Sequence, residues 1–334
     1  MNIKPDEETT INPQGGFNLS APNKTEINPE FLDPVKFNRF SISQSLAAKI
    51  EAIARGRTHI ERYVKATDPQ SLWESEDNQL ALAMSVNASS QIEGEEIHAT
   101  LVSLILSEAT EPVEGRPLEP ELKHRLGVNR SIYKAYMWAL TSDQKDVISP
   151  SFILNVHRLM FSESDHYSPL AGKFKEKEVV VSGAKYHVKT LPLARTEEAV
   201  KKLCARVNND FSKNKTDKEK PLLTIVAEFL VDFLAIHPFR DGNGRTARLL
   251  STYLLEKIGY HFAPIYPIDS IINERRAEYF QALFSAQRNW YSDQEDLTEW
   301  VEFYVDVVCE QWERAYRKIK RAKGRSVLEQ EFMG

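Results

Sequence analysis

His237-Pro238-Phe239-Arg240-Asp241-Gly242-Asn243-Gly244-Arg245-Thr246-Ala247-Arg248 is the stretch around which this 334-residue chain is organised. The fifteen residues before it, 222–236, read LLTIVAEFLVDFLAI. Their only polar positions, Thr224, Glu228 and Asp232, recur every four residues, which marks a helix that is apolar on nearly all sides. Such a helix belongs in the middle of a core. Pro238 disfavours α conformation at the residue before it, so His237 is fixed at the end of a buried, rigid element.

The residues after His237 suit an anion. Gly242, Asn243 and Gly244 can take positive φ, which turns successive backbone N–H groups inward as a nest. Arg245 opens a new helix, whose N-terminus adds partial positive charge. Arg245 and Arg248 stand at i and i+3 and share a helical face, and two forked guanidinium groups there suit a polyphosphate. Asp241 offers a hard oxygen ligand beside phosphate, which favours Mg²⁺. His237 supplies an imidazole whose ordinary pKa is about 6.5, a base able to take a proton from an attacking hydroxyl. Taken singly, a His-Pro is commonly a helix stop and a DGNG a turn. Their arrangement with two arginines on the next helix points to phosphate-centred transfer, which needs positioning and charge stabilisation above all.

Outward from the motif, apolar periodicity predicts helices over residues 78–93, 96–108, 121–140, 150–161, 195–211, 221–236, 245–258, 273–288 and 296–320, with helical spacing also from Leu46 to Val64. Three prolines and a glycine make 108–120 a loop. Between residues 172 and 191 the period changes. Val179, Val180 and Val181 precede a turn at Ser182-Gly183-Ala184-Lys185, and Tyr186, His187 and Val188 follow, which predicts a hairpin. The fold class is mainly α with one small hairpin.

Composition narrows the function. Hydrophobic residues at 42% and charged residues at 27% are globular values and exclude a fibrous or disordered chain. A net charge of −5 provides no global basic field, so nucleic acid is not an expected partner. The local basic run from Arg314 to Arg325 reads as a solvated helix face. Cys204 and Cys309 have no metal or redox spacing, the N-terminus has no basic start with an apolar core, and no stretch reaches about 20 apolar residues. The expectation is a cytoplasmic protein without a membrane span.

The twelve residues His237 to Arg248 resemble the full signature of the Fic family, HPFxxGNGRxxR with an acidic fifth residue, without a departure. The resemblance extends over roughly residues 78–308 and implies a Fic-type helical bundle with the hairpin as a flap. With residues 1–30, rich in Asn, Pro, Gly and Thr, read as a flexible N-terminal arm, the resemblance divides the rest into an N-terminal helical region (31–120), a catalytic core (121–310) and a basic C-terminal tail (311–334). It implies transfer of AMP from ATP to a Ser, Thr or Tyr hydroxyl of a target protein, with release of pyrophosphate. His237 would then be the general base and Asp241 the Mg²⁺ ligand. Gly242, Asn243 and Gly244 would cradle the α- and β-phosphates, Arg245 the β- and Arg248 the γ-phosphate, and Tyr279 would line the adenine pocket.

The hairpin, placed at residues 178–189, would dock the target by strand-like pairing. Ser89-Ser90-Gln91-Ile92-Glu93-Gly94 resembles the family's inhibitory motif, which implies that Glu93 pairs with Arg248 and blocks productive γ-phosphate placement while Ser89 braces the helix. Self-modification and a homodimer are compatible with this reading. Transfer of another nucleotide or of phosphate, hydrolytic de-AMPylation, and a catalytically silent regulatory binding module remain as alternatives.

Overall fold

The computed structural model describes residues 39–65, 75–95, 98, 102–106, 119–142, 147–162, 168–183, 186–214, 220–262, 265–292 and 294–332. The expected arm at 1–30, and the loop at 108–120 up to residue 118, lie outside them. In chain order the helices are α1 (Gln44–Lys65), α2 (Glu76–Ile92), α3 (Ser103–Leu106), α4 (Pro120–Thr141) and α5 (Pro150–Met160). A hairpin of β1 (Val180–Gly183) and β2 (Tyr186–Lys189) follows. Then come α6 (Thr196–Lys213), α7 (Leu222–Ile236), α8 (Asn243–Lys257), α9 (Ile268–Glu274), α10 (Arg276–Arg288) and α11 (Thr298–Phe332). The fold is mainly α with one two-stranded antiparallel sheet among the described residues.

Every residue of α7 is buried, as its all-round apolar surface requires, and α6, α8, α10 and α11 pack around it. Its polar stripe faces protein rather than water. Asp232 accepts from Arg39 Nη1 at 2.8 Å and Nη2 at 2.7 Å, from Trp290 Nε1 at 2.7 Å, and from Arg206. Burial pushes the Asp232 carboxyl up, but Arg39 and Arg206 outweigh it and hold the group well below the usual carboxylate range. The buried carboxylate thus pins three separate segments, residue 39, α6 and the stretch after α10, to the central helix. Glu228 pairs with Lys220 just ahead of α7.

Two predicted helices need correction. Of residues 96–108, only Ser103–Leu106 are helical within the described set, and His98 is not. Gly94, at φ +88°, ends α2, and the Glu95 N–H turns back to the Ser90 carbonyl at 2.9 Å. The helix expected at 273–288 is two helices. Pro267 precedes an earlier start at Ile268, and the chain leaves α geometry at Arg275 (φ −107°, ψ 30°). At the other end, α11 runs unbroken through residue 311 to Phe332, and Arg314 lies against Glu274 and Glu310.

The hairpin register runs from Val180 opposite Lys189 to Gly183 opposite Tyr186, and the two connecting residues lie outside the described set. Its root is tied to the end of α7, where the Leu191 N–H donates to the Ala235 carbonyl at 3.2 Å. The hairpin therefore starts beside His237. No helix among the described residues is long and apolar enough to cross a membrane.

Candidate active site

His237 is the C-cap of α7, in the left-handed region at φ 51°, ψ 63°. That region costs a residue with a Cβ roughly 1–2 kcal/mol, so the surroundings must hold it. Its N–H donates to the Phe233 carbonyl at 3.0 Å. Nδ1 lies 3.2 Å from the Leu234 carbonyl, which can only accept, so Nδ1 carries the proton of the neutral ring. Nε2 is then the lone-pair nitrogen. It is buried with no hydrogen-bond partner, and the residue lines a cleft. The ordinary pKa expected from sequence does not hold, because burial, and after it the Lys175 ammonium, lower it to about 4. The imidazole is neutral at pH 7.

The loop after His237 differs in detail from the predicted nest. Only Gly242 has positive φ, at 76°, while Asn243 and Gly244 already form the first turn of α8. A Cβ on Gly242 would lie 2.4 Å from the Phe161 ring, so conformation and close approach both require glycine there. Asn243 spends its side chain on the loop. Its Oδ1 accepts from the Phe239 N–H at 2.9 Å and its Nδ2 donates to the Phe239 carbonyl at 2.8 Å. The donors offered to the cleft are therefore first-turn N–H groups, which have no acceptor inside a helix, rather than a run of positive-φ amides.

His157 on α5 completes the loop and was not found from sequence. The Gly172 N–H donates to its Nδ1 at 2.9 Å, so Nε2 carries the proton and donates to the Asp241 carbonyl at 3.0 Å. Its ring stacks on Phe239 at 3.7 Å, and burial lowers its pKa to about 4. A lone histidine in an apolar helix gives no local signal of such a role.

Both arginines are buried and held by carboxylates that follow α2. Arg248 donates to Glu93 Oε1 at 2.7 Å, to Ser89 Oγ at 2.8 Å and to the Ser89 carbonyl at 3.0 Å. Asp269 Oδ1 lies 3.4 Å from Arg248 Nε. Burial opposes the Arg248 cation, but Glu93, Tyr279 and Asp269 outweigh it and raise its pKa. A Cβ on Gly244 would meet Glu93 Oε1 at 2.3 Å, which places the carboxylate directly on the first turn of α8.

Arg245 donates to Glu95 Oε2 at 3.0 Å, lies 3.7 Å from Asp241 Oδ2, and stacks its guanidinium over Phe161 at 4.9 Å. Glu95 was also missed. Its only sequence signal is a second carboxylate two residues after Glu93, which is visible but not specific. Asp269 is fully buried, and accepts from Ser85 and from Tyr136 Oη at 3.3 Å. It sits in the first turn of a short helix, where aspartate is ordinary.

Tyr279, Phe280, Leu283 and Phe284 of α10 form the apolar wall of the cleft, and Val181 of β1 borders it. Tyr279 packs on Phe280, Trp300 and Phe303, and lies electrostatically against Arg248. The structure thus brings together all the sequence-predicted site residues: His237, Asp241, Gly242, Asn243, Gly244, Arg245, Arg248 and Tyr279 with Ser89 and Glu93. Asp241 is half-exposed, and its Oδ1 accepts from the Gly242 N–H at 2.6 Å. Among the described residues no group of three or more His, Cys, Asp or Glu is placed to hold a metal ion. One carboxylate beside an anion-directed helix start fits Mg²⁺, which keeps waters and takes phosphate oxygens rather than a full protein cage.

A family model for the Fic/DOC family matches residues 147–255, from the loop before α5 into α8. The chain is 24% identical over 301 residues to the protein adenylyltransferase Fic of Culex quinquefasciatus, a match covering 89% of this chain and 51% of that protein. The chain thus spans about half the length of that relative. A protein of Ostreid herpesvirus 1 named ribonucleoside-diphosphate reductase small chain is 32% identical over 155 residues, or 44% of this chain and 26% of the viral one. That name belongs to a protein of which about a quarter is matched, and it is not carried over. Among solved structures, a Fic family protein from Desulfovibrio desulfuricans superposes with a TM-score of 0.63 at 20% identity, covering 84% of this chain and 76% of the other, which speaks for the fold. The uninterrupted His237–Arg248 motif and the helical fold around it agree with the family match, and residues 147–255 of the chain match the Fic/DOC family.

Proposed function

We propose that the chain is a protein adenylyltransferase that moves AMP from ATP to a hydroxyl of a protein and is held back by its own α2. The observation that carries the reading is His237 Nε2, a buried lone-pair nitrogen without a partner, in one cleft with the Gly242–Gly244 turn and Arg248. The names of the curated relatives support the choice of nucleotide and of a protein acceptor.

In this reading the polyphosphate lies across the first turn of α8, with Arg245 and Arg248 as its cationic partners. The target hydroxyl oxygen forms a bond to the α-phosphorus. The bond from that phosphorus to the α–β bridging oxygen breaks, and pyrophosphate leaves. The hydroxyl proton passes to His237 Nε2, whose Nδ1–H is already committed to the Leu234 carbonyl. Asp241 would hold Mg²⁺, which supplies charge neutralisation between phosphates when bound. The hairpin root beside His237 supports docking of the target as an added strand on 178–189. A hydroxyl of the chain itself reaching the same edge would be modified in the same way.

Glu93 is the brake. Its carboxylate occupies Arg248 and lies against Gly244, on the surface where a polyphosphate would run. The same placement favours one second reading, in which Glu93 orients a water for hydrolytic removal of AMP. The experiment is mass spectrometry of a protein mixture treated with the Glu93→Gly variant and ATP. AMP adducts on hydroxyl side chains are expected. Phosphate adducts would replace nucleotide transfer by kinase-like transfer, and loss of pre-existing AMP with the wild type but not with Glu93→Gly would support the hydrolytic reading.

A further inference from the structure

Lys175 lies between α5 and β1 and is 2% exposed. A buried ammonium needs an acceptor for each of its donors. Nζ donates to Thr190 Oγ1 at 3.0 Å, to the Leu191 carbonyl at 2.6 Å and to the Ile236 carbonyl at 3.1 Å. Its backbone N–H donates to the Pro238 carbonyl at 2.8 Å. Ile236 and Pro238 flank His237, so one residue holds the carbonyl before and the carbonyl after the left-handed histidine. The other two acceptors are the root of the hairpin. Thr190 in turn donates to the Val179 carbonyl at 2.7 Å and closes that root from its first strand. All of these acceptors are uncharged, so the ammonium keeps its positive field beside the imidazole.

We infer that Lys175 is a positioning residue for His237: it fixes the backbone that presents the imidazole, sets a positive charge beside it, and ties it to the hairpin root. The inference rests on the reading of His237 as the proton acceptor. The groups facing the imidazole act in both directions. Burial and Lys175 disfavour its protonation, while the Leu234 carbonyl, Asp241 and Glu93 favour it. Burial lowers Lys175 itself to about 8, against Glu178, so the ammonium is the major form at pH 7.

The test is an NMR titration of the imidazole carbons in the full chain, with the His237 signal assigned by its loss in His237→Ala. Lys175→Gln removes the charge and keeps a donor. It should raise the His237 pKa by about one pH unit or more and move the acid limb of the AMP-transfer profile the same way. Lys175→Arg keeps the charge and should leave the imidazole titration near wild type. The same His237 titration in wild type and Lys175→Gln overturns the inference, whether or not the protein transfers AMP. Transfer that survives His237→Ala overturns the reading of His237 instead, and the titration still judges Lys175. If Lys175→Gln does not fold, the wild-type protein decides, because loss of the ammonium charge beside the ring changes the electric field on the neutral imidazole and hence its carbon chemical shifts. The His237 signal must show a second inflection where Lys175 loses its proton, near pH 8, and a flat response there contradicts the inference.

Discussion

Replacing Glu93 by glycine should raise AMP transfer and lower stability by a bounded amount. The Glu93 side chain is 25% exposed and Arg248 only 3%. Removing one partner of a fully buried pair costs about 3–5 kcal/mol, because the other charge is stranded. Arg248 is not stranded here, since Ser89 Oγ, the Ser89 carbonyl and Asp269 remain around it. The loss is then that of a single charge-assisted hydrogen bond, about 1.5–3 kcal/mol, and exposure of Glu93 puts it at the low end. Melting should drop by roughly 2–5 °C. Transfer of α-labelled AMP, to the chain itself and to a protein mixture, should rise because the carboxylate no longer sits on Gly244 and Arg248. Glu93→Gln separates charge from bulk and should recover part of the gain. Glu93→Gly with Arg248→Ala should lose it, since the released arginine is the agent of activation. Equal transfer by wild type and Glu93→Gly would refute the reasoning, and Glu93 would be a helix-end residue only.

Other consequences follow from the same contacts. Glu95→Gln should tighten ATP binding measured calorimetrically while costing little stability, about 0.5 kcal/mol, because Glu95 is a partly exposed partner of Arg245. Gly242→Ala should lose nucleotide binding and at least about 1–2 kcal/mol in urea melts, since its φ of 76° and the Phe161 ring both oppose a Cβ. His157 and His237 both titrate near 4 in the folded chain against about 6.5 unfolded. Their contribution is present above pH 6.5 and is lost as pH falls from 6.5 to about 4, by about 3 kcal/mol each. The urea midpoint should therefore climb with pH across that window, and less steeply in His157→Asn. Asp241→Ala should weaken the Mg²⁺ dependence of ATP binding without moving the melting temperature by more than about 0.5 kcal/mol equivalent, given its half-exposed carboxylate.

The central helix and the motif were legible because local rules and tertiary demand coincide there. An all-round apolar segment can only be a core axis, and a proline after His237 must end it. Gly242 was legible for a reason of both conformation and space. The positive φ expected at Asn243 and Gly244 failed because Asn243 is used to brace Phe239, which lets the helix begin two residues early. Of the helix expected over 96–108, only 103–106 are helical among the described residues, and Gly94 ahead of it turns the chain back on Ser90, a choice that an amphipathic pattern does not record. Glu95 was legible only as an unspecific second carboxylate after Glu93, and Asp269, His157 and Lys175 were not legible at all. Each acts across 60 or more residues of sequence, on Arg245, Arg248, the Asp241 carbonyl and the Ile236 carbonyl respectively, except Asp269, whose partner Arg248 stands near it in a residue type that is common at helix starts. Asp232 was legible as a polar position in a buried helix, but its partners were not, since Arg39 lies 193 residues away.

The most direct test of the account uses ATP labelled on the α- or the γ-phosphate with three proteins: wild type, Glu93→Gly, and Glu93→Gly with His237→Ala. The account predicts α-label on protein from Glu93→Gly well above wild type and no γ-label from any of them. It also predicts α-transfer at least about 10²-fold lower in the double variant, the usual scale for losing a general base, with ATP binding retained because His237 acts on the hydroxyl and not on the phosphates. Gamma-label on protein, or α-transfer that persists at the Glu93→Gly level without His237, would contradict it.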